Sequence, residues 1–116
     1  MSVKAIFVVF ILTVVQLAQG IALRLDIVES ELLLFGHVGL GVLTFLIIIA
    51  LVNNLRKQGL RIGSDLSFLL VLFVFQGLAG FFILAEVEIA ATVHLVLSFF
   101  VVASAAGSLI IAASGS

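Results

Sequence analysis

Four long runs without a charged residue dominate this chain of 116 residues. They cover residues 5–23, 32–55, 66–85 and 89–116 and contain 19, 24, 20 and 28 residues. A helix needs about 20 apolar residues to cross the ~30 Å hydrocarbon core of a bilayer, so each run is long enough for one crossing. Because a backbone in lipid must satisfy its own hydrogen bonds, we expect helices. The predicted helices of a single all-α domain, residues 1–116, span about 5–24, 31–55, 65–85 and 88–113.

The composition excludes several classes of function. Only 9% of the residues are charged, whereas about 25% is usual in soluble domains. The absence of Cys rules out disulfides, iron–sulfur clusters and thiolate zinc sites. A net charge of −1 offers no basic surplus for nucleic acid, and no phosphate loop, nucleophile elbow or HExxH pattern occurs. The lipid bilayer is the first partner that the sequence predicts.

Basic residues mark the predicted cytoplasmic side. Lys4 precedes the first run, and Arg56, Lys57 and Arg61 lie between the second and third. The positive-inside rule therefore predicts a multi-pass protein of the cell membrane with both termini in the cytoplasm. The first run, with the small-residue pattern of residues 18–20, also resembles a cleavable signal peptide, but we favour a retained helix.

An internal repeat relates the two halves of the chain. Gln16 and Gly20 in the first run recur as Gln76 and Gly80 in the third, and each pair is followed by a helix with one His. The pattern predicts an up-down-up-down four-helix bundle built of two parallel-repeat helical hairpins. Small-xxx-small helix packing is the alternative explanation of the glycines.

The two histidines are the candidate metal ligands. His37 and His94 each lie six residues inward from an outer acidic residue, Glu31 or Glu88, which places both about 9 Å below the outer boundary. Their helices are predicted to lie on the bundle diagonal, roughly 12–14 Å apart. Two imidazoles facing across that gap leave a slot for one iron in a flat macrocycle, whereas a bare zinc ion would need four ligands. A purely structural hydrogen bond between helices is the alternative role of each His.

Further residues are predicted to contribute to this cofactor site. Gly41 and Ser98 lie one turn beyond the two histidines and would give a planar ring clearance. Gln16, Gly20 and Arg24 share one helix face, with Gln16 as a hydrogen-bond donor to the cofactor or to a water and Arg24 as the partner of a propionate.

Gln76 and Gly80 repeat the same roles in the second half. We assign no catalytic residue, and the acidic residues at the outer side are interpreted as a solvated rim.

The chain resembles the haem A synthase family. The resemblance lies in residues 15–25 (VQLAQGIALRL), 76–80 (QGLAG) and 92–97 (TVHLVL). Members usually have eight helices in two four-helix halves, and this chain is similar to a single half. The resemblance implies that His37 and His94 ligate haem. The family's catalytic half has a Glu and an Arg where this chain has Leu34 and Val38, so the implied role is that of a cofactor haem.

Three functions follow as hypotheses. We expect an integral-membrane b-type cytochrome with one haem b held by two histidines near the outer face, exchanging electrons with a quinol or a redox partner protein. The first alternative is a single-repeat haem A synthase that oxidises a haem methyl group. The second is a haem-free accessory subunit of a membrane complex. Small residues at 103–108 would support contacts with a partner or within a homo-oligomer.

Overall fold

Four α-helices make up the computed structural model, which describes residues 3–25, 31–59 and 62–114 (for 62–64 the backbone only). The helices are α1 (Val3–Arg24), α2 (Glu31–Lys57), α3 (Ile62–Leu84) and α4 (Ala90–Ala113). No strand occurs in the described ranges. The shortest helix has 22 residues, which at 1.5 Å per residue is about 33 Å and matches the thickness of a bilayer core. The all-α prediction is confirmed.

The helices form a four-membered bundle in chain order. Each packs against the next along the chain, and α4 packs against α1. Within the described residues no Cα of α2 comes within 8 Å of a Cα of α4, and the same holds for α1 and α3. The two histidine-bearing helices therefore lie on a diagonal, as predicted for an up-down-up-down bundle.

The outer surface of the bundle is apolar. Large hydrophobic side chains such as Leu32, Phe35 and Ile110 are more than two-thirds exposed. Each helix contains a stretch with a mean hydropathy of 2.4 or 2.5, long and apolar enough to cross a membrane. A bilayer provides the medium that such a surface requires, so the chain is a multi-pass membrane protein.

The interior is tightly packed away from the histidines. Ile6, Ile48, Leu55 and Leu66 are fully buried. These residues lie toward the basic end of the bundle, which carries Lys4, Arg56 and Lys57 on α1 and α2; the opposite, acidic end carries Glu31, Glu86 and Glu88. Since helix association in lipid depends on van der Waals packing, this half holds the bundle together.

The helix bounds differ from the predicted ones by up to three residues, and two of the differences have identifiable reasons. The predicted bounds stopped at charges, but α2 runs on through Arg56 and Lys57, whose long side chains can reach the interface from a terminal turn. α4 begins at Ala90 rather than 88, because Glu86 adopts a left-handed conformation (φ 61°) and the N–H of Ala90 bonds the carbonyl of Val87 at 3.1 Å. Residues 85–89 thus form a hydrogen-bonded turn between α3 and α4, and α4 begins only after it.

The packed half provides a first test. We expect Ile48→Ala to lower the free energy of unfolding in mixed micelles by about 2–5 kcal/mol, because it leaves a cavity in a fully buried position. Ile49→Ala is the matched control, since this neighbouring side chain is 38% exposed and faces outward. Equal losses for the two variants would contradict the packing described here.

Candidate functional site

The two histidine side chains meet inside the bundle. His37 of α2 and His94 of α4 are half-buried, and their ring centroids lie 6.2 Å apart with the ring planes at 84°. Their backbones are too far apart for direct contact, so the meeting depends on both side chains lying at one level and pointing inward. This is the juxtaposition that their equal distance from the acidic end predicts.

Each imidazole uses Nδ1 as a hydrogen-bond donor. Nδ1 of His94 lies 2.8 Å from the backbone carbonyl oxygen of Gln76, and Nδ1 of His37 lies 3.3 Å from Oε1 of Gln19. Because carbonyl oxygens only accept, both rings carry a proton on Nδ1. Neither Nε2 has a hydrogen-bond partner in the part of the chain that the structure describes. In the neutral ring Nε2 therefore carries a lone pair, which is the form that ligates a metal.

Two buried glutamines fix the backbone of the histidine helices. Nε2 of Gln16 donates to the carbonyl oxygen of His37 at 2.8 Å. Nε2 of Gln76 donates to Oγ of Ser98 at 2.6 Å, and Ser98 in turn donates to the carbonyl oxygen of His94 at 2.7 Å. The sequence predicted that these amides would donate to a cofactor or to a water, whereas the bonds observed here link α1 to α2 and α3 to α4.

Two glycines allow the rings to lie against the neighbouring helices. A Cβ at Gly20 would lie 3.7 Å from Cε1 of His37, and a Cβ at Gly80 would lie 3.2 Å from Cε1 of His94. The second distance is shorter than ordinary van der Waals contact, so any larger residue at 80 would displace the ring. The repeat of Gln-xxx-Gly thus corresponds to a repeated contact between glycine and histidine.

The two hairpins differ in how the contact is completed. A Cβ at Gly41 would lie 3.5 Å from Oε1 of Gln16, so a small residue there gives the amide room to reach the histidine carbonyl directly. In the second hairpin the equivalent position is Ser98, which bridges by its hydroxyl. The position equivalent to Gln19 is Ala79, so the second histidine bonds a backbone carbonyl instead of a side chain.

A cavity of about 590 Å³ surrounds the histidines, which is within the ~300–1,000 Å³ range of ligand sites. All four helices contribute to its mostly apolar wall. Every residue that the sequence assigned to the site lines it: Gln16, Gly20, Arg24, His37, Gly41, Gln76, Gly80, His94 and Ser98. Gln19 was not assigned, and it lies behind His37 rather than in the wall.

Arg24 lies at the acidic end of this cavity. Its Nη1 donates to the carbonyl oxygen of Ala91 at 3.1 Å, which ties the end of α1 to the first turn of α4. The side chain is exposed, and in the described ranges no carboxylate pairs with it. Guanidinium groups bind carboxylates in a bidentate manner, so Arg24 can receive an anionic group of a ligand in the cavity.

The donor set fits a metal held in a macrocycle. Among the described residues no group of three or more His, Cys, Asp or Glu side chains could hold a bare ion. His37 and His94 would hold such a metal through Nε2, the ring nitrogen that has no hydrogen-bond partner among the described residues. The ring centroids lie 6.2 Å apart, so the two side chains are near enough to bind one ion from different helices. Two such donors suit a metal whose other ligands come from a macrocycle.

The geometry of the site is its main distinguishing feature. Comparison of the chain with protein-family models, with curated proteins and with solved structures finds no match. The site is defined by two inward-pointing imidazoles that meet in the cavity and whose Nδ1 atoms are both engaged in hydrogen bonds.

The glycine contact gives a second test. We expect Gly80→Ala to shift the imidazole ¹⁵N resonances of His94 and leave those of His37 in place, because the added methyl group contacts only the ring of His94. Gly77→Ala is the matched control, since a Cβ there has no atom within 4 Å. In the unsubstituted protein, long-range ¹H–¹⁵N spectra at alkaline pH should show both rings protonated at Nδ1. A ring protonated at Nε2 would contradict the assigned hydrogen bonds.

Proposed function

We propose that this protein is an integral-membrane b-type cytochrome that binds one haem b between His37 and His94. The observation that carries the proposal is the 6.2 Å separation of two imidazoles with both Nδ1 atoms engaged in hydrogen bonds. Ionisable side chains within membrane-spanning helices are costly and often mark functional sites, which adds support.

The chain's own residues hold and orient the ligands. The bonds from Nδ1 to Gln19 and to the carbonyl of Gln76 leave Nε2 of each ring as the nitrogen with a free lone pair and limit the rotation of the ring. Gln16 and Ser98 anchor the histidine carbonyls and so limit how far the two helices can shift. A ligand pair held in this way changes little in position when its metal changes charge.

The proposed activity is electron transfer. When bound, the haem would supply a one-electron couple whose potential depends on axial ligands, hydrogen bonds and burial. With His37 and His94 both bound to the iron, no position would be left open for oxygen. The apolar wall of the cavity keeps water from the site, and Arg24 at its acidic end is the partner proposed for a propionate. A quinol or a redox protein would be the electron partner.

The orientation in the membrane is part of the proposal. Lys4, Arg56 and Lys57 lie at the end of the bundle away from the histidines. The positive-inside rule places such residues in the cytoplasm, so the haem site would lie near the outer face of the cell membrane with both termini inside.

Haem oxidation receives less support than electron transfer. Leu34 and Val38 line the cavity where a synthase would have a Glu and an Arg, and no carboxylate is among the described residues of its wall. A haem-free accessory subunit is the remaining alternative. It predicts that the purified protein acquires no chromophore, which the next experiment measures.

The axial ligands are the third test. We expect purified protein to bind haem one-to-one with the sharp α- and β-bands that reduced six-coordinate b-type cytochromes show, and His37→Ala or His94→Ala to abolish that spectrum. Addition of free imidazole should restore part of it, because the small molecule can occupy the vacated position. Thr92→Ala, an exposed position on α4, is the control. Retention of the full spectrum by either histidine variant would contradict the proposal.

Gln19 provides a fourth test. Because its amide oxygen accepts the Nδ1 proton of His37, Gln19→Leu should weaken haem affinity about 10–100-fold. Gln19→Glu should lower the midpoint potential, because a carboxylate makes the ring a stronger donor to the oxidised iron. Gln58→Leu, an exposed glutamine at the basic end, is the control. Unchanged affinity and potential in both Gln19 variants would show that this bond does not act on the ligand.

A further inference from the structure

The wall of the histidine cavity is closed on two sides and exposed on the others. The parts contributed by α1 and α4 are buried or half-buried, apart from Arg24 at the acidic end. The parts contributed by α2 and α3 include Val38, Val42, Val74 and Phe81, which are between 41% and 67% exposed. The cavity therefore reaches the surface between α2 and α3. We call this stretch, together with Gly77 and Leu78, the α2–α3 opening.

An aromatic pair limits the opening toward the basic end. Phe45 of α2 and Phe73 of α3 stack with ring centroids 6.4 Å apart and planes 15° from parallel. Both line the cavity, and Phe73 is almost fully buried. The stacked rings hold α2 and α3 together on the side of the opening that faces the basic end. The opening therefore lies only in the half of the bundle that contains the histidines.

The opening faces the hydrocarbon of the bilayer. It lies within the membrane-crossing lengths of α2 and α3, and its side chains are aliphatic or aromatic. At the acidic end the bond from Arg24 to Ala91 joins α1 to α4 and places a charged group at the aqueous boundary of the cavity. A flat apolar ring that enters from lipid through an apolar opening does not have to be dehydrated. Entry from the aqueous end would take the same ring past the charged side chain of Arg24.

We propose that haem reaches His37 and His94 from the lipid phase through the α2–α3 opening. This inference rests on the proposed haem site and adds the side from which the ligand arrives. The charge distribution supports it, because the propionates would trail toward Arg24 while the apolar edge enters between Val38 and Phe81. Haem would bind reversibly and would pass between α2 and α3 on its way in and out. The separation and closure of these two helices would therefore set the rates of uptake and release.

The test uses two glycines that can carry a side chain without a clash. A Cβ at Gly77, in the opening, or at Gly39, elsewhere on α2, has no atom within 4 Å, and both positions are exposed. Haem dissolved in phosphatidylcholine vesicles that contain the protein is followed by the rise of its Soret band. Gly77→Phe should slow both uptake and release at least tenfold, whereas a mere loss of affinity would leave release as fast or faster. Gly39→Phe should match the unsubstituted protein.

A cysteine pair keeps the test decisive if Gly77→Phe does not fold. The chain has no Cys, so Val38→Cys combined with Phe81→Cys can be joined selectively by a flexible bismaleimide. Joining the pair before haem is added should abolish uptake, and joining it afterwards should trap the bound haem. The single-cysteine variants treated with the same reagent should behave normally. Uptake that is as fast in the joined protein as in the unjoined protein overturns the proposed route.

Failure of the route is distinguishable from failure of the site. Haem that binds with a six-coordinate spectrum, at rates insensitive to Gly77→Phe and to the cross-link, would overturn the α2–α3 opening and leave the histidine site intact. A protein that acquires no six-coordinate haem from vesicles or from detergent would overturn both.

Discussion

Inside a bilayer every polar group needs a partner, and the arrangement around the two histidines follows from this constraint. Each Nδ1 finds an acceptor on the preceding helix of its own hairpin, Gln19 or the carbonyl of Gln76. The two Nε2 atoms have no hydrogen-bond partner in the described residues, although the rings meet in one cavity. A single metal ion between the rings would satisfy both.

The two hairpins solve the same problem with different chemistry. His94 bonds a backbone carbonyl, a contact that no substitution at the accepting residue removes. His37 bonds a side chain, so its electronic environment can change with one residue. Substitutions in the first hairpin would therefore change the midpoint potential of the proposed haem more readily. The surroundings of the histidine in the second hairpin are less open to change. Ser98, which occupies the position equivalent to Gly41, adds one more hydrogen bond to the second hairpin.

Much of this architecture could be predicted from the sequence, because charges in a membrane chain are confined to helix ends. That rule located four helices and placed His37 and His94 at one level. It gave no information on how each helix is rotated about its axis, since these helices are apolar on all sides. Which residue faces Nδ1 of His37 depends on that rotation, and for this reason Gln19 was missed. The same limitation hid the α2–α3 opening.

The helix bounds show a second limit. The charged residues indicate where a helix leaves the hydrocarbon but not where its backbone hydrogen bonds end. For this reason α2 extends beyond Leu55 into its basic last turn. The start of α4 depends on the left-handed Glu86, a conformation that a non-glycine residue adopts only when the surrounding turn requires it. Such local backbone states are not readable from an apolar pattern.

Electron paramagnetic resonance of the ferric, haem-loaded protein in membranes tests the central claim most directly. Two nitrogen ligands on opposite sides of the iron produce a low-spin signal, and near-perpendicular ring planes, as the 84° angle requires, make it strongly anisotropic. The account predicts that signal as the only ferric species. A high-spin signal from five-coordinate iron would contradict the assignment of His37 and His94 as a ligand pair.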